Sequence, residues 1–288
     1  MIDSQLHTQF VPMPAFVLQV RMVFSFGASA PQSQFIDFLE QHPGVINIAS
    51  AYCYTLRDVT NTTKLPETQY CSNFTNAVNK MQPRIHVQPV IQMGGSFAID
   101  NFDKPATFAN LFVPEAVKYG YSGYFIDCQF KGDRAKVQAK RYAAFLDAFG
   151  QSLHAANLSL TVLTTNLAGN DENGPVLNQS EGLDFFVAEK TADRSRHGSA
   201  ADIAREIPRL TGQYYAPGLG HGRAGELLYP HVPYTAGEVG SIFKAMDASK
   251  TQELSFWANF RNMQTGGWLA GMKAWLADTS VAQDQPRQ

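Results

Sequence analysis

The sequence predicts an α/β protein, a closed (β/α)8 barrel of the TIM type, and three observations predict it. Apolar runs rich in β-branched and aromatic residues alternate with segments of helical periodicity, which is typical of βα units and a parallel sheet. Eight such steps follow one another without a linker or a change of composition. The length of 288 residues suits one barrel of about 250 residues. We therefore expect a single domain over residues 1–288, with 1–15 and 279–288 as frayed termini.

The first half of the chain supplies four strand–helix steps. The predicted strands are 20–27, 45–54, 85–96 and 123–130. The helix "PQSQFIDFLEQHP" follows the first strand and carries Phe35, Phe38 and Leu39 at i, i+3, i+4 spacing. A short helix around "FTNAVNKM" and the helix "TFANLFVPEAVKYG" lead into the third and fourth strands.

The second half supplies the other four steps. A long helix at 136–157 precedes the fifth strand, and the helices "AADIAREIPRL" and "GWLAGMKAWLA" follow later strands. The predicted strands are 158–166, 182–190, 212–218 and 253–260. Because active sites of such barrels lie at the C-terminal ends of the strands, those ends direct the search for a site.

Composition and motifs argue against several classes of partner. The chain has 23 basic and 25 acidic residues and no basic run, so we expect no nucleic-acid partner. No apolar stretch reaches about 18 residues, so we expect no membrane span. The seven histidines show no ligand spacing, so we expect no catalytic metal. "GHGRAG" (220–225) has the dinucleotide-binding spacing, but "ELLYPHVPY" follows with two prolines and opens no helix, so we expect no cofactor.

The cysteines and glycosylation motifs favour a secreted glycoprotein. Cys128 falls inside a predicted strand, where a buried thiol packs as a small hydrophobe. Cys53 and Cys71 flank an excursion of 18 residues, and a disulfide between them would add about 3 kcal/mol if the geometry permits. Asn-x-Ser/Thr motifs, each of which can also arise by chance, occur at Asn61, Asn73, Asn157 and Asn178.

The most informative stretch is "YGYSGYFIDCQF" (119–130). In a strand, Phe125, Asp127 and Gln129 share one face, so an acid and an amide stand side by side at the strand's end. They form either a functional pair at the mouth of the barrel or a polar pair that closes the barrel top with structural hydrogen bonds.

This stretch resembles the D-G-x-D-x-D-x-E motif of glycoside hydrolase family 18, which comprises chitinases and chitinase-like lectins. The four acidic places of the motif fall on Ser122, Phe125, Asp127 and Gln129, and its glycine falls on Gly123. "QMGG" (92–95) resembles the S-x-G-G at the end of the family's third strand, with Gln92 in place of the serine. "LSFWANF" places Trp257 where the family has the tryptophan beneath the sugar. "GYSGYFIDCQF" and "GGSFAID" are also similar to motifs of the longer endo-β-N-acetylglucosaminidases of family 85.

Six residues are predicted to bind sugar. They are Gln92, Phe125 and Trp257, which fall on positions of the family's motifs, and Tyr214, Tyr215 and Asn259, which lie in predicted strands of the barrel. Trp257 could equally pack in the core. Tyr214 and Tyr215 alternate along their predicted strand, so only one of them can face the centre of the barrel, and either could be ordinary packing.

The resemblance also implies a mechanism in which the N-acetyl oxygen of the substrate attacks the anomeric carbon. Asp127 can position that acetamido group. Gln129 stands at the place of the acid, and a carboxamide has no suitably acidic proton, a loss that costs on the order of 10² to 10⁴ in rate. Because glutamine keeps the shape and the hydrogen bonds of glutamate, the leading hypothesis is a lectin-like protein that binds N-acetylglucosamine-containing glycans without normal hydrolysis.

Two alternatives remain open. An active hydrolase would need another acid, and Glu189 ends the sixth predicted strand where the family has the methionine of an M-x-Y motif; a partly desolvated carboxylate there could serve. The plainer interpretation pairs Glu189 with Lys190 or Arg261. The third hypothesis is a structural, storage or inhibitor protein on a barrel scaffold, since fold alone does not determine function.

Overall fold

The structure is a computed structural model of the chain, and it describes most of the predicted elements. The described residues are 22–26, 32–56, 69–94, 101–129, 134–164, 180–188, 199–205, 207, 223–228, 234–249, 253–257, 263–264 and 267–278.

Ten strand segments pair in parallel within one sheet. The strands are β1 (Met22–Phe26), β2 (Ile48–Ser50), β3 (Tyr52–Thr55), β4 (His86–Val87), β5 (Val90–Gly94), β6 (Gly123–Gln129), β7 (Ser159–Thr164), β8 (Phe185–Ala188), β9 (Arg223–Leu228) and β10 (Glu253–Trp257). The helices are α1 (Gln32–Gln41), α2 (Gln69–Val78), α3 (Pro105–Tyr119), α4 (Arg134–His154), α5 (Ala236–Ala248) and α6 (Trp268–Ala277).

The ten segments form a closed ring of eight strands. β2 and β3 are two parts of one strand, interrupted at Ala51, and β4 and β5 are two parts of the next. The Gln88 amide donates to the Ala49 carbonyl at 3.0 Å and the Val90 amide donates to the Ala51 carbonyl at 2.8 Å, so pairing continues across both interruptions. β10 pairs with β1, and the remaining strands pair in chain order. The predicted (β/α)8 barrel is confirmed.

The prediction of the seventh strand at 212–218 was wrong. β9, at Arg223–Leu228, occupies the seventh position of the ring and pairs with β8 on one side and β10 on the other. Residues 212–218 lie outside the described residues. The aromatic pair in "GQYYAPG" has higher strand propensity than "RAGELL", but pairing with two neighbours decides a central strand more than propensity does.

β6 separates two buried regions. On β6, Tyr124, Ile126 and Cys128 belong to the core between the sheet and the helices, and the Tyr124 hydroxyl donates to the Phe112 carbonyl of α3 at 2.7 Å. Phe125 and Asp127 alternate with them and therefore lie on the face toward the barrel interior, where both are fully buried. This alternation determines which side chains can reach the mouth of the barrel.

Near the N-terminal ends of the strands, the barrel interior contains polar side chains that hydrogen-bond to one another. The Gln88 side chain donates to the Ser159 hydroxyl at 2.7 Å and accepts from the Thr161 hydroxyl at 2.9 Å. All three residues are almost completely buried. Their bonds pass over Gly123, where an added Cβ would lie 2.1 Å from the Ser159 carbonyl oxygen. Glycine is therefore required at the start of β6 by close approach.

Local signals explain the ends of the outer helices. α3 begins at Pro105, whose missing N–H suits the first helical turn, and is capped after Tyr119 by Gly120, which takes the left-handed conformation. α5 begins with a capping box between Thr235 and Glu238. Within the described part of the chain, none of the helices combines the length and the apolar character that crossing a membrane requires.

Candidate functional site

Asp127 and Gln92 are neighbours at the C-terminal ends of β6 and β5. The register pairs Gln92 with Asp127, and Gly94 with Gln129. Asp127 is fully buried, whereas Gln92 is half-buried. An acid and an amide thus stand side by side on the interior face, at the end of the barrel where such folds build their sites.

Tyr52 on β3 is a third polar residue of this group. Its hydroxyl donates a hydrogen bond to Oδ2 of Asp127 at 2.9 Å. Hydrogen bonds to an ionised carboxylate are about twice as strong as neutral ones, so this bond fixes the orientation of the carboxylate. Tyr52 is half-buried, whereas the Asp127 to which it bonds is fully buried.

Sequence reasoning did not identify Tyr52, and alternation alone could not have separated it from Tyr54, because a β-bulge lies between them. Tyr52 pairs with Val90, but Tyr54 pairs with Ile91, so two positions on one strand oppose one on the other. Val90 is on the interior face, whereas Ile91 packs against the helices. "AYCYT" contains no glycine or other local mark that would have revealed this bulge.

Tyr54 accordingly packs between the sheet and the helices. Its hydroxyl lies 3.3 Å from that of Tyr121, and its ring meets Phe112 edge-on at 5.3 Å. Burial, followed by the nearby Tyr124 and Tyr121 hydroxyls, raises the pKa of Tyr54. Burial also raises the pKa of Tyr121 to about 12. Tyr54 is therefore a neutral core residue, unlike Tyr52.

The predicted disulfide between Cys53 and Cys71 is present, with a Cα–Cα distance of 5.5 Å. It joins the bulged residue of β3 to α2, and both cysteines are buried. Cys128 is buried and not disulfide-bonded. Burial, with a further contribution from the charge of Asp127, raises the pKa of the Cys128 thiol, so the thiolate is disfavoured and the thiol is inert, as expected.

The structure locates some of the other predicted site residues only in part. Gln129 pairs with Gly94 and Trp257 with Phe26, and each is the last residue of its strand. Phe125 lies two positions before Asp127 on the same face, fully buried, so it supports the site from below and its contact with sugar stays a prediction. The roles of Asp127, Gln129, Gln92 and Trp257 also stay predictions.

Four predicted residues lie outside the described residues. They are Glu189, Tyr214, Tyr215 and Asn259. The argument for the two tyrosines depended on a seventh strand at 212–218, and it no longer holds because β9 is that strand. Among the described residues, no group of three histidine, cysteine or acidic side chains could hold a metal ion.

Comparison with known proteins relates the fold to one architecture. The sequence matches no protein-family model and is not significantly similar to any curated protein. A chitinase from Chromobacterium violaceum ATCC 12472 has a similar structure, with a TM-score of 0.63 at 11% identity over 90% of this chain and 99% of that one. A family 18 chitinase from Crocus vernus gives 0.62 at 12% identity over 89% and 100%.

A third similar structure is that of YKL-39 in the presence of chitooligosaccharides (GlcNAc4). Its TM-score is 0.63 at 8% identity, over 89% of this chain and 100% of that one. At such identities the similarity shows the fold alone. It confirms that the barrel has the architecture of family 18 chitinases, as the motifs of the third, fourth and eighth strands predicted. The similarity to family 85 stays a prediction.

Proposed function

We propose that the protein is a chitinase-like carbohydrate-binding protein that recognises N-acetylglucosamine-containing glycans, with Gln129 in place of the general acid. The observation that carries this proposal is the interior position of Asp127, held by Tyr52 beside Gln92 at the C-terminal end of the barrel. The architecture of family 18 chitinases supports it.

The polar groups at this end of the barrel suit a sugar. Sugars and their acetamido groups both donate and accept hydrogen bonds, and the site combines a carboxylate, an amide and a hydroxyl. Gln92 and Tyr52 are both partly exposed. By contrast, the hydroxyls and amide of Gln88, Ser159 and Thr161 bond to one another and are closed to solvent. We therefore assign the polar side chains near the N-terminal ends of the strands to structure and those near the C-terminal ends to sugar binding.

The chemistry explains binding without normal turnover. A carboxylate on Asp127 can accept the N–H of an acetamido group and orient it. Protonation of the leaving oxygen needs an acid, and the carboxamide of Gln129 cannot supply one. Binding of the sugar does not need that proton.

Calorimetric titration with chitooligosaccharides tests the proposal. We expect saturable binding that Asp127→Asn weakens by about tenfold or more, because the replaced carboxylate makes charge-assisted hydrogen bonds. Asp202→Asn is the matched control, since Asp202 is an exposed carboxylate that pairs with Arg205 away from the barrel interior. No detectable affinity for any N-acetylglucosamine oligomer or N-glycan would overturn the proposal.

An active glycoside hydrolase is the second candidate, and the retention of Asp127 favours it. Hydrolysis would then need an acid other than Gln129, for which Glu189 is the sequence candidate. Assays on a fluorogenic chitobiose and on a glycoprotein separate this candidate from a binder. Loss of measured hydrolysis in Glu189→Gln would support Glu189 as the acid, and unchanged hydrolysis would exclude it.

Secretion is a further part of the proposal. Disulfides persist in oxidising compartments, and the Cys53–Cys71 bond is a structural one. Asn73 and Asn157, each in an Asn-x-Ser/Thr motif, are exposed. Expression in a secretory eukaryotic host followed by mass spectrometry tests it: we expect an added glycan, and an unmodified protein retained inside the cell would contradict it.

A further inference from the structure

The bulge allows Tyr52 and Tyr54 to lie on opposite faces of the sheet. In a regular strand, residues two apart share a face, so Tyr52 and Tyr54 would point the same way. Here Tyr52 bonds Asp127 in the interior, while Tyr54 bonds Tyr121 on the helix side. A regular strand that kept Tyr54 in its aromatic pocket would therefore remove Tyr52 from Asp127.

A disulfide holds the residue that forms the bulge. Cys53, between the two tyrosines, is bonded to Cys71 of α2, and the Cys71 sulfur lies 4.0 Å from the Tyr52 carbonyl oxygen. Cys71 is itself fixed, because it is buried and its carbonyl accepts the Thr75 hydroxyl at 2.7 Å. The helix thus keeps the side chain of Cys53 on the outer side of the sheet, and Tyr52 takes the interior side.

We propose that Tyr52 is a positioning residue for Asp127 and that the Cys53–Cys71 disulfide maintains this position, so that sugar affinity depends on the intact bond. The inference rests on the proposed function, since the affinity is that of the candidate site. It extends the site beyond the fourth-strand motif to a residue of the second strand and to a covalent bond outside the barrel.

The inference has a redox consequence. A dithiol reductant donates two electrons and two protons, the Cys53–Cys71 bond breaks to give two thiols, and the reductant is oxidised to its own disulfide. Cys53 is then released from α2, and β3 is free to pair with β5 without the bulge. The Tyr52 hydroxyl no longer holds the Asp127 carboxylate, and the affinity for sugar falls.

Titration of chitooligosaccharides against matched variants tests the inference. Tyr52→Phe removes only the hydroxyl that reaches Asp127, and Tyr54→Phe makes the same change two residues away on the opposite face. We expect Tyr52→Phe to raise Kd by about tenfold or more, because the hydroxyl bonds a charged group. Tyr54→Phe leaves Kd within about twofold, since its hydroxyl does not reach the site.

A double-mutant cycle tests whether the disulfide affects sugar affinity through Tyr52. The combined change of Cys53→Ser and Cys71→Ser raises Kd in the wild-type background, but it has little further effect when Tyr52→Phe is already present, because both changes act through one hydrogen bond. If the two effects multiply instead, or if Tyr52→Phe binds as the wild type does, the inference is overturned. Should the serine variant fail to fold, wild-type protein treated with a dithiol, with its fold checked by circular dichroism, replaces it.

A failure of the proposed function is distinguishable from a failure of this inference. If wild-type protein binds no chitooligosaccharide, the sugar proposal fails, and the position of Tyr52 is tested by folding instead. Tyr52→Phe and Asp127→Asn then form a cycle read by urea unfolding. If the effects of the two substitutions on the unfolding constant are coupled by about tenfold, Tyr52 is still the residue that positions Asp127. If the two effects are additive, that role of Tyr52 is overturned.

Discussion

The Tyr52 hydroxyl donates a hydrogen bond to the Asp127 carboxylate at 2.9 Å, although the two residues are 75 positions apart and their strands are not adjacent. β5 lies between β3 and β6, so the bond passes over the strand that carries Gln92. The bond therefore links two strands across a third, between register positions that are two residues apart. The candidate site is therefore a product of tertiary structure as well as of the fourth-strand motif.

Restoring a glutamate at position 129 is the most direct test of whether the candidate site lacks only its general acid. We expect Gln129→Glu to give measurable hydrolysis of a fluorogenic chitobiose, with a gain on the order of 10² or more, because a general acid contributes that much. Gln151→Glu, on the exposed surface of α4, makes the same change as a control and should have no effect. If Gln129→Glu is folded, binds sugar and stays inactive, the site lacks more than its acid.

Loss of the disulfide should destabilise the fold. The bond closes 18 residues, and removing it by Cys53→Ser with Cys71→Ser should lower the free energy of unfolding by about 3 kcal/mol, because the unfolded chain regains that freedom. Urea unfolding with and without a reductant measures it. The reductant should shift the wild type toward the variant and leave the variant unchanged. Equal stability of all samples would show that the bond does not form in solution.

Two glycine-to-alanine variants distinguish a glycine that is required by close packing from one that only lowers helix propensity. Gly123→Ala places a Cβ 2.1 Å from the Ser159 carbonyl oxygen, so we expect a loss of roughly 3 kcal/mol or more. Gly240→Ala, in α5, meets no atom within 4 Å and should stabilise the protein by about 0.5 to 1 kcal/mol. Thermal unfolding of both variants measures the contrast. A tolerated alanine at position 123 would contradict the close packing of β6 on β7.

The ion pair between His154 and Asp184 should contribute to stability in acid. The 2.9 Å bond to Asp184 raises the pKa of His154, although partial burial opposes it. Below the unfolded pKa of about 6.5, histidine is charged in both states and the pair contributes fully; the contribution is lost as the pH rises through the folded pKa. His154→Gln should therefore cost more stability at about pH 5 than at about pH 8.

The difference in stability between the wild type and His154→Gln isolates the contribution of His154 from that of His86, which has the opposite pH dependence. Burial, and then the charge of Arg84, lowers the pKa of His86, so His86 makes the fold less stable as the pH falls. Because His86 is present in both proteins, its contribution cancels in the difference between the wild type and His154→Gln. A difference that does not shrink between about pH 5 and about pH 8 would contradict the ion pair.

Much of the fold follows from local sequence. Seven of the eight barrel strands overlap their predicted ranges, because each is an apolar run bounded by turn residues and followed by a helix. Asp127 lies on the interior face, as the alternation in "YFIDCQF" predicts, and Cys53 pairs with Cys71. The seventh strand was misplaced because "RAGELL" carries little strand propensity and is held by β8 and β10.

The sequence by itself determined the eightfold repeat of strands and helices, the face on which Asp127 lies and the amide at position 129, because periodicity and residue type are local properties. Only the tertiary structure decided that Tyr52 reaches Asp127 while Tyr54 does not. That outcome depends on a bulge at Cys53, which the disulfide joins to α2, beside Tyr54, whose ring packs against Phe112. A contact between distant parts of the chain leaves no mark in the pattern of either part.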